Sequence, residues 1–461
     1  MEGSRMKTGR YIYKLGSDEE LTLTELQRFL VLHDKEVNKR LRPLWQAYMT
    51  DYKIFRQAAK PDWKPDNRIA VNFAKYIVDT MNGFFLGNPI KVLADDKVVA
   101  AYIEFLDGYN DQDDNNAELA KLCDIFGRGY ELYFVDDDAN IGITYVSPMD
   151  AFMIFDDSIL ERPRYFVRTY RDRNNVLHGS ISDNKEVKYF VRDPALHWEK
   201  ENGEEGQPHG FDGVPATEYR ENEEGLGLFE PVISMIDAFN KALSEKANDV
   251  DYFADAYLKI LGARLDNETI KDIRSNRIIN FKGEGVDKLI VEFLQKPDGD
   301  TSQEHLIDRL QQMIFQISMV ANLSDENFGS TTGIALKYKL QAMSNLAKTK
   351  ERKFTSGMNR RYKLIFSNPQ SKMSSDAWIH LKYQFTLNYP SNDLEESQIA
   401  GNLSGIVSRE TQLKTLSVVD NVKEELDRIE AEEDKEGYET DYPTNRTAPP
   451  DGEAGQEENE E

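Results

Sequence analysis

The side chains with the clearest capacity for chemistry are basic residues on a long predicted helix at 334–365. Ammonium and guanidinium groups bind phosphates, and they also pair with carboxylates. Because the chain is acidic and Glu351 lies between two of these bases, the sequence favours pairing within the protein over contact with phosphates. The bases considered for either role are Lys337, Lys339, Lys348, Lys350, Arg352 and Lys353.

A mostly polar stretch at 322–333 directly precedes this helix. Its hydroxyl, amide and backbone groups can donate neutral hydrogen bonds to phosphates without the strong grip of an ion pair. Composition alone favours an ordinary connection between two helices. The loop considered for phosphate contact comprises Ser324, Asp325, Glu326, Asn327, Phe328, Gly329, Ser330, Thr331 and Thr332.

Catalytic, metal-binding and cofactor-binding motifs are not found in the sequence. The run 328–333 has the wrong glycine spacing for a nucleotide-binding phosphate loop, and Ile334 follows it in place of lysine. The aspartates at 136–138 lack the spacing of a calcium loop, so they predict a turn between strands. We therefore predict a protein that is not an enzyme and has no cofactor. The histidines show no metal-ligand spacing, at His33, His178, His197, His209, His305 and His380.

The charge of the chain excludes a conventional DNA-binding protein. The 461 residues carry a formal net charge of −25, and residues 424–461 alone hold 16 acidic and 3 basic side chains. A surface of this sign repels phosphate and favours passage over binding. The single cysteine, Cys123, cannot form a disulfide within the chain and is predicted to be a small buried residue. The polar residues 1–10 and the lack of a long uninterrupted apolar stretch predict neither export nor a membrane span.

Helical periodicity and strand alternation predict an α+β fold. Thr22 and Glu25 have the spacing of a capping box at the start of a first helix, and further helices are predicted at 67–86 and 117–126. Short runs rich in β-branched and aromatic residues predict one antiparallel sheet. Its strands are expected at 130–135, 141–146, 151–155, 164–171, 176–181 and 187–191.

Two long amphipathic helices are predicted in the second half of the chain, at 232–261 and 303–322, with strand-like runs at 277–281 and 288–293 between them. Strict alternation predicts a half-buried strand at 378–389. A last helix is expected at 413–429, and an acidic disordered tail from 436. The apolar stripe of the second long helix is Leu306, Leu310, Met313, Ile317 and Val320.

Several short motifs accompany this order of elements: NRIAVNF at 67–73, GNPI at 87–90, HGFDGVP at 209–215, GIALKYKL at 333–340 and SRET at 408–411. Each is common in isolation, and their order and spacing are more specific. Together they span about residues 21–433. On these grounds the chain resembles the portal protein family of tailed bacteriophages, especially the type found in long-tailed phages of Gram-positive bacteria.

The resemblance implies the phage portal fold and a ring of twelve subunits around a central tunnel. Each subunit would have long stem and wing helices, an antiparallel wing sheet, a small α/β clip and a helical crown. The implied parts are a wing at 1–231, stem helices at 232–261 and 300–322, a clip at 262–299, a tunnel loop at 323–333, the long helix and late wing strand at 334–390, a crown at 391–435 and a disordered acidic tail at 436–461.

The resemblance also implies a function, a ring at one capsid vertex that conducts DNA during packaging and ejection. The implied partners are further copies of the chain, double-stranded DNA passing without sequence specificity, the terminase packaging motor, a head-tail adaptor, and the major capsid and scaffolding proteins. The implied location is the virion, and the host cytoplasm during assembly. Motor and adaptor docking would fall to clip bases, Arg264, Lys271, Arg274, Arg277, Lys282 and Lys288.

Three other functions compete with this interpretation. A capsid subunit or scaffold is one, although the predicted strands argue against a mostly helical scaffold. A metal-dependent nuclease built from unmatched carboxylates is the second, and it predicts DNA cleavage that a chelator stops. The third is an acidic adaptor that imitates DNA through residues 424–461, which predicts that deletion of this tail abolishes function.

Overall fold

The computed structural model describes residues 13–61, 64–200, 206–254, 258–261, 290–293, 300–323, 338–389, 393–416, 418–419 and 421–439. The described residues before Tyr389 form one compact unit, and those from Tyr389 onward form a second.

The described part of the larger unit contains eight α-helices. The first begins at a cap in which the Glu25 amide donates to the Thr22 hydroxyl (3.2 Å), which confirms the capping prediction. The helices of this unit are α1 (Leu23–Glu36), α2 (Arg42–Tyr48), α3 (Phe73–Leu86), α4 (Lys97–Asn110), α5 (Gln112–Phe126), α6 (Ile233–Ala254), α7 (Asp300–Ser318) and α8 (Gln341–Ser367).

The strands form two main sheets and not the single sheet that the sequence predicted. A seven-stranded sheet has the order β1-β5-β6-β7-β8-β10, with β9 also on β8, and all its pairs are antiparallel except β1 with β5. A three-stranded sheet has the order β11-β3-β4, and β12-β13 and β2-β14 form separate antiparallel pairs. The strands are β1 (Tyr13–Leu15), β2 (Lys91–Leu93), β3 (Arg128–Val135), β4 (Ile141–Val146), β5 (Ala151–Asp156), β6 (Pro163–Arg171), β7 (Leu177–Ser182), β8 (Glu186–Arg192), β9 (Leu196–Glu199), β10 (Gly206–Pro208), β11 (Ala216–Arg220), β12 (Leu258–Leu261), β13 (Ile290–Phe293) and β14 (Lys382–Gln384).

Different helices pack on the two sheets. Helix α1 buries Leu26, Phe29 and Leu30 against Phe152 and Ile154 of the seven-stranded sheet. The three-stranded sheet instead contacts α5 along β3 and α8 along β11. The long helix α8 is continuous through Gly357. A Cβ at this position would collide with the ring of Tyr219, so the glycine allows that ring to pack directly on the helix.

The long alternating segment near the end of the larger unit was predicted wrongly as one strand at 378–389. Its first part is a short 3₁₀ helix, Ala377–His380, and only β14 pairs with a neighbour. That neighbour, β2, is three residues long, so the ladder cannot extend further. Ile379, assigned to the buried face, is 61% exposed.

Several helix boundaries also differ from the predictions. Helix α3 begins six residues later than predicted, because residues 67–72 are extended. Helix α6 ends at Ala254, and the last four residues of the predicted helix at 232–261 form β12, which pairs with β13.

Helix α4 was not predicted from the sequence, and neither were β1 and the strands β9–β11. Two apolar stripes lie side by side on α4, which weakens the single-stripe period that marks an amphipathic helix.

The smaller unit contains three helices in its described part: α9 (Asp393–Leu403), α10 (Arg409–Leu413) and α11 (Val422–Glu439). The helix predicted at 413–429 begins too early, because α10 ends at Leu413 and α11 begins only at Val422. Helix α11 extends to Glu439, into the region predicted to be disordered. Ser408 caps α10 through the Thr411 amide (3.3 Å), and Arg409 pairs with Glu433 of α11 (2.7 Å). Residues 440–461 lie outside the described part of the chain.

Candidate functional site

Many of the residues singled out in the sequence lie outside the described residues. This applies to the loop 324–332, to Lys337 and to the six clip bases. The described bases of α8 and its approach differ in environment. Lys339, Lys348 and Arg352 are exposed, whereas Lys353 is half-buried and pairs with Glu223 of the same subunit.

Lys350 is the exception among these bases, because its side chain is 1% exposed. Its ammonium group contacts the Asp124 carboxylate, the Glu221 carboxylate (3.2 Å) and the Ala120 carbonyl (3.3 Å). Lys350 therefore pairs with carboxyl groups of its own subunit, which is the alternative that the sequence favoured over contact with phosphates. This Lys350 cluster ties α8 to α5 and to the residue that follows β11.

The Lys350 cluster contains two carboxyl groups and one cation, all withdrawn from water. Burial raises the pKa of Asp124 well above its usual range, since an isolated carboxylate is poorly solvated there. Burial alone would lower the pKa of Lys350, but Asp124 and Glu221 raise it above its usual range. Lys350 is therefore charged at neutral pH, and the Asp124 carboxyl group binds a proton more tightly than an exposed aspartate does.

A second buried cluster, the Arg361 cluster, joins α8 to the three-stranded sheet about three helical turns further along the helix. The Arg361 guanidinium donates to Glu131 (2.8 Å) and to the Asn116 side chain (2.7 Å). Glu131 also accepts hydrogen bonds from the hydroxyls of Tyr133 (2.7 Å) and Tyr219 (3.1 Å). Burial alone would lower the pKa of Arg361, and Glu131 raises it well above its usual range. The cluster is thus a fixed ion pair with most of its oxygens satisfied.

A third buried pair lies where the N-terminal helices meet the two sheets. Arg128 of β3 donates to Glu36 at the end of α1 (2.9 Å), and the Tyr13 hydroxyl of β1 donates to the same carboxylate (2.6 Å). Burial would raise the pKa of Glu36, but Arg128 lowers it below its usual range. Arg40 extends the pair to Glu230, directly before α6 (2.7 Å).

The extended segment at 67–71 lies antiparallel along α6 and is held by a ladder of polar side chains. The Asn67 amide donates to Asn248 (2.6 Å), the Ile69 amide to Ser244 (2.9 Å) and the Val71 amide to Asn240 (2.8 Å). The spacing matches, because two extended residues and four helical residues both advance about 6 Å. This polar ladder explains why α3 begins only after Asn72, since alternate backbone amides already have partners.

The polar ladder was not predicted from the sequence, which indicated only a long amphipathic helix in this region. Val250 is 58% exposed, whereas Asn240, Ser244 and Asn248 are buried. The available signal was the recurrence of small polar residues at every fourth position of a helix that otherwise carries an apolar stripe.

Helix α7 packs beside α6 and carries two apolar stripes of its own. Ile307 and Ile314 are buried, and the ring of Phe315 packs against Phe73 and Tyr76 of α3. The stripe named in the sequence is only partly buried: Leu306 is 53% exposed and Ile317 is 42% exposed. In a single subunit, α7 therefore presents an uncovered apolar face, which we call the α7 face.

Asp107 of α4 has a half-buried carboxyl group. Its Oδ1 has no hydrogen-bond partner, and burial raises the pKa of Asp107 to about 6. The folded protein therefore holds a proton that the unfolded chain releases near pH 4. As a consequence, stability falls as the pH rises from about 4 to about 6 and is then level.

We expect Asp107→Asn to raise the free energy of unfolding at pH 8 by up to about 2 kcal/mol, because the amide needs no proton. At pH 4 the variant and the parent should unfold alike. Urea titrations at the two pH values measure the difference, with the exposed Glu104→Gln on the same helix as the control. An equal effect of Asp107→Asn at both pH values would contradict the assignment.

Metal and nucleophile chemistry has little support in the described part of the chain. No group of three or more His, Cys, Asp or Glu side chains is arranged there to hold a metal ion. His33 is a core residue that bonds the Pro148 carbonyl (2.9 Å), and Asp136 organises its turn by accepting from the Asn140 amide (2.8 Å). Cys123 is buried, as predicted, and burial raises the pKa of its thiol.

Among the helices that the structure describes, none combines the length and apolar character needed to cross a bilayer.

Comparison with known proteins agrees with this architecture. The family described as "Phage portal protein, SPP1 Gp6-like" matches residues 28–438. The chain is 23% identical to the portal protein of Bacillus phage SPP1 over 410 residues, covering 83% of this chain and 79% of that protein. It is 25% identical to the portal protein of Clostridium phage phiCD119 over 234 residues, covering 49% of this chain and 50% of that protein.

Similar solved structures come from gene transfer agent particles. One is a chain from the neck of an empty particle, with a TM-score of 0.46, 11% identity and coverage of 78% of this chain and 96% of that one. Another is a chain from the native virion, with a TM-score of 0.47, 11% identity and coverage of 80% and 98%.

The family match extends over most of the chain, so the class of protein is a phage portal protein. More narrowly, the chain belongs to the SPP1 Gp6-like phage portal proteins, a structural family. It is a virion component and a subunit of the portal vertex that serves DNA packaging, associated with the capsid as an oligomeric ring.

Proposed function

We propose that twelve copies of this chain close into a ring whose tunnel conducts double-stranded DNA during packaging and ejection. The observation that carries the ring is the α7 face, where Leu306 and Ile317 remain exposed in one subunit. Burying such a side chain stabilises by about 2 kcal/mol, so a neighbour that covers the face gains from doing so. A head-to-tail contact of this kind generates a ring when its rotation closes.

The charge pattern supports sequence-independent passage of DNA. The net charge of −25 disfavours a tight grip on phosphates. Within α8, Lys350 and Arg361 are already paired inside the subunit, whereas Lys348 and Arg352 are exposed. We assign transient DNA contacts to these two bases, to Lys339 and to the polar loop 324–332, and no catalytic activity to the chain.

The same proposal covers the docking of other components. The bases at 264–288 are assigned to a clip that contacts the terminase motor and later a head-tail adaptor, because basic side chains suit acidic protein surfaces. The capsid and scaffolding proteins are the remaining partners. Twelve is the subunit number that resemblance to the family implies.

Electron microscopy of negatively stained full-length protein, together with native mass measurement, tests the ring. We expect closed rings with a central hole, and we expect the double variant Leu306→Glu, Ile317→Glu to shift the protein to monomers. Charges placed on an apolar contact lose the burial energy and add repulsion between neighbours.

The matched control is Ile159→Glu, which places the same charge on a side chain that is 98% exposed in the turn between β5 and β6. It should leave the rings intact. Filaments or compact dimers of the parent protein would overturn the proposed ring, and rings that persist in the double variant would remove the α7 face from the subunit interface.

A further inference from the structure

Helix α4 carries an exposed apolar stripe next to its buried one. Val99, Ile103 and Leu106 face the core, whereas Val98 is 66% exposed, Phe105 50% and Tyr109 44%. With Tyr102, the exposed positions follow the spacing i, i+4, i+7 and i+11, so they form one continuous face. We call this surface the α4 face. An apolar surface of several neighbouring side chains on a folded protein marks an interaction site more often than isolated exposed residues do.

The rings of the α4 face are held in place before any partner binds. Phe105 stacks on Tyr109 with ring centroids 5.6 Å apart, and Tyr102 packs against Phe366 of α8 at 6.3 Å. The Tyr109 hydroxyl bonds Asp136 in the turn after β3, and the ring of Phe134 lies over Gly142. Because these side chains are already ordered, a partner loses little entropy in contacting them.

Carboxylates surround the α4 face. Residues 95–114 and 134–138 together carry ten acidic side chains and a single lysine, Lys97. Glu104, Asp111, Asp137 and Asp138 are among the exposed ones. An aromatic surface with an acidic rim attracts cations both by charge and through the ring faces.

We propose that the α4 face docks a segment of another protein in which basic side chains flank an aliphatic centre, most simply an amphipathic basic helix. The aliphatic side chains lie on the aromatic rings, and the lysine or arginine side chains reach the acidic rim. Two copies of the α4 face fit poorly against each other, because each would set its acidic rim against the other's. Nucleic acid is repelled for the same reason.

Fluorescence anisotropy with a labelled helical peptide of leucine and lysine tests the proposal on the full-length protein. A peptide with the same leucines and glutamate in place of lysine is the charge control. We expect the lysine peptide to bind at least tenfold more tightly than the glutamate peptide, and its affinity to fall as salt is added. The double variant Val98→Ser, Phe105→Ser should weaken binding at least tenfold, while keeping the contact between Tyr109 and Asp136.

The matched control is Ile159→Ser, Leu160→Ser, which removes two exposed apolar side chains from the turn between β5 and β6. Equal binding by both double variants would mean that the peptide adheres through net charge alone, and the proposal would fail. If Val98→Ser, Phe105→Ser instead breaks the rings apart, the face contacts a second copy and the basic partner is excluded. The result is independent of the α7 face, because Leu306 and Ile317 are unchanged in these variants.

Discussion

Replacing Lys350 with methionine is expected to lower the free energy of unfolding by about 3–5 kcal/mol. The variant removes the cation that contacts both Asp124 and Glu221, whose side chains are 0% exposed, and so leaves buried carboxyl groups without compensation. Urea or guanidinium titration at one fixed protein concentration measures the loss. Lowering the pH should restore part of it, because the orphaned carboxyl groups then take up protons.

The control for this variant is Lys348→Met, two residues earlier on the same helix. Lys348 is exposed, so its replacement should change the free energy of unfolding by less than about 0.5 kcal/mol. The double variant Asp124→Asn, Lys350→Met should recover part of the stability by removing one of the unpaired carboxyl groups. If Lys350→Met unfolded like the parent protein, the buried cluster could not be as described.

Replacing Arg361 with methionine is expected to lower the free energy of unfolding by about 3 kcal/mol or more. Glu131 would lose its cation and keep neutral donors, which are the hydroxyls of Tyr133 and Tyr219 and the side-chain amide of Gln112. Arg361→Lys should cost less, since it keeps the charge but loses the planar fork that reaches both Glu131 and Asn116. Denaturant titration of Arg361→Met and Arg361→Lys measures which variant loses more free energy of unfolding.

A double-mutant cycle with Glu131→Gln separates this ion pair from the general cost of altering the core. The coupling energy between positions 131 and 361 should exceed about 1 kcal/mol, because the two side chains are in contact and buried. Arg352→Met serves as the control on the exposed side of α8, where little change is expected. Additive effects at 131 and 361 would argue against the pair.

Local sequence patterns predicted most of the helices and strands. They did not predict which charged side chains form ion pairs between those elements. Helices α1, α6 and α7 were found because their apolar stripes and caps lie within the helices themselves. The interior position of Lys350 depends on Asp124, 226 positions earlier in the chain, and no local pattern distinguishes Lys350 from Lys348. The signals that existed were Asp124 and Glu131, each an acidic residue inside an apolar run.

The failures share a physical cause, which is that pairing partners lie far away in sequence. The alternation at 378–389 is a valid strand pattern, yet β2 offers only three residues to pair with. The helical stripe from Asn67 was overridden because α6 provides side-chain partners for the backbone of residues 67–71. The tunnel loop and clip assignments stay predictions, since those residues lie outside the described part of the chain.

The polar ladder has a mechanical consequence for α6. Asn240, Ser244 and Asn248 repeat every four residues, so sliding the helix by about 6 Å would bring each amide of the segment opposite the next polar side chain, with one bond lost at the end. Any smaller displacement breaks all three bonds together. We therefore expect axial movement of this helix against the segment to occur in steps of about 6 Å, in either direction. Small shear forces along the helix should not produce a gradual displacement.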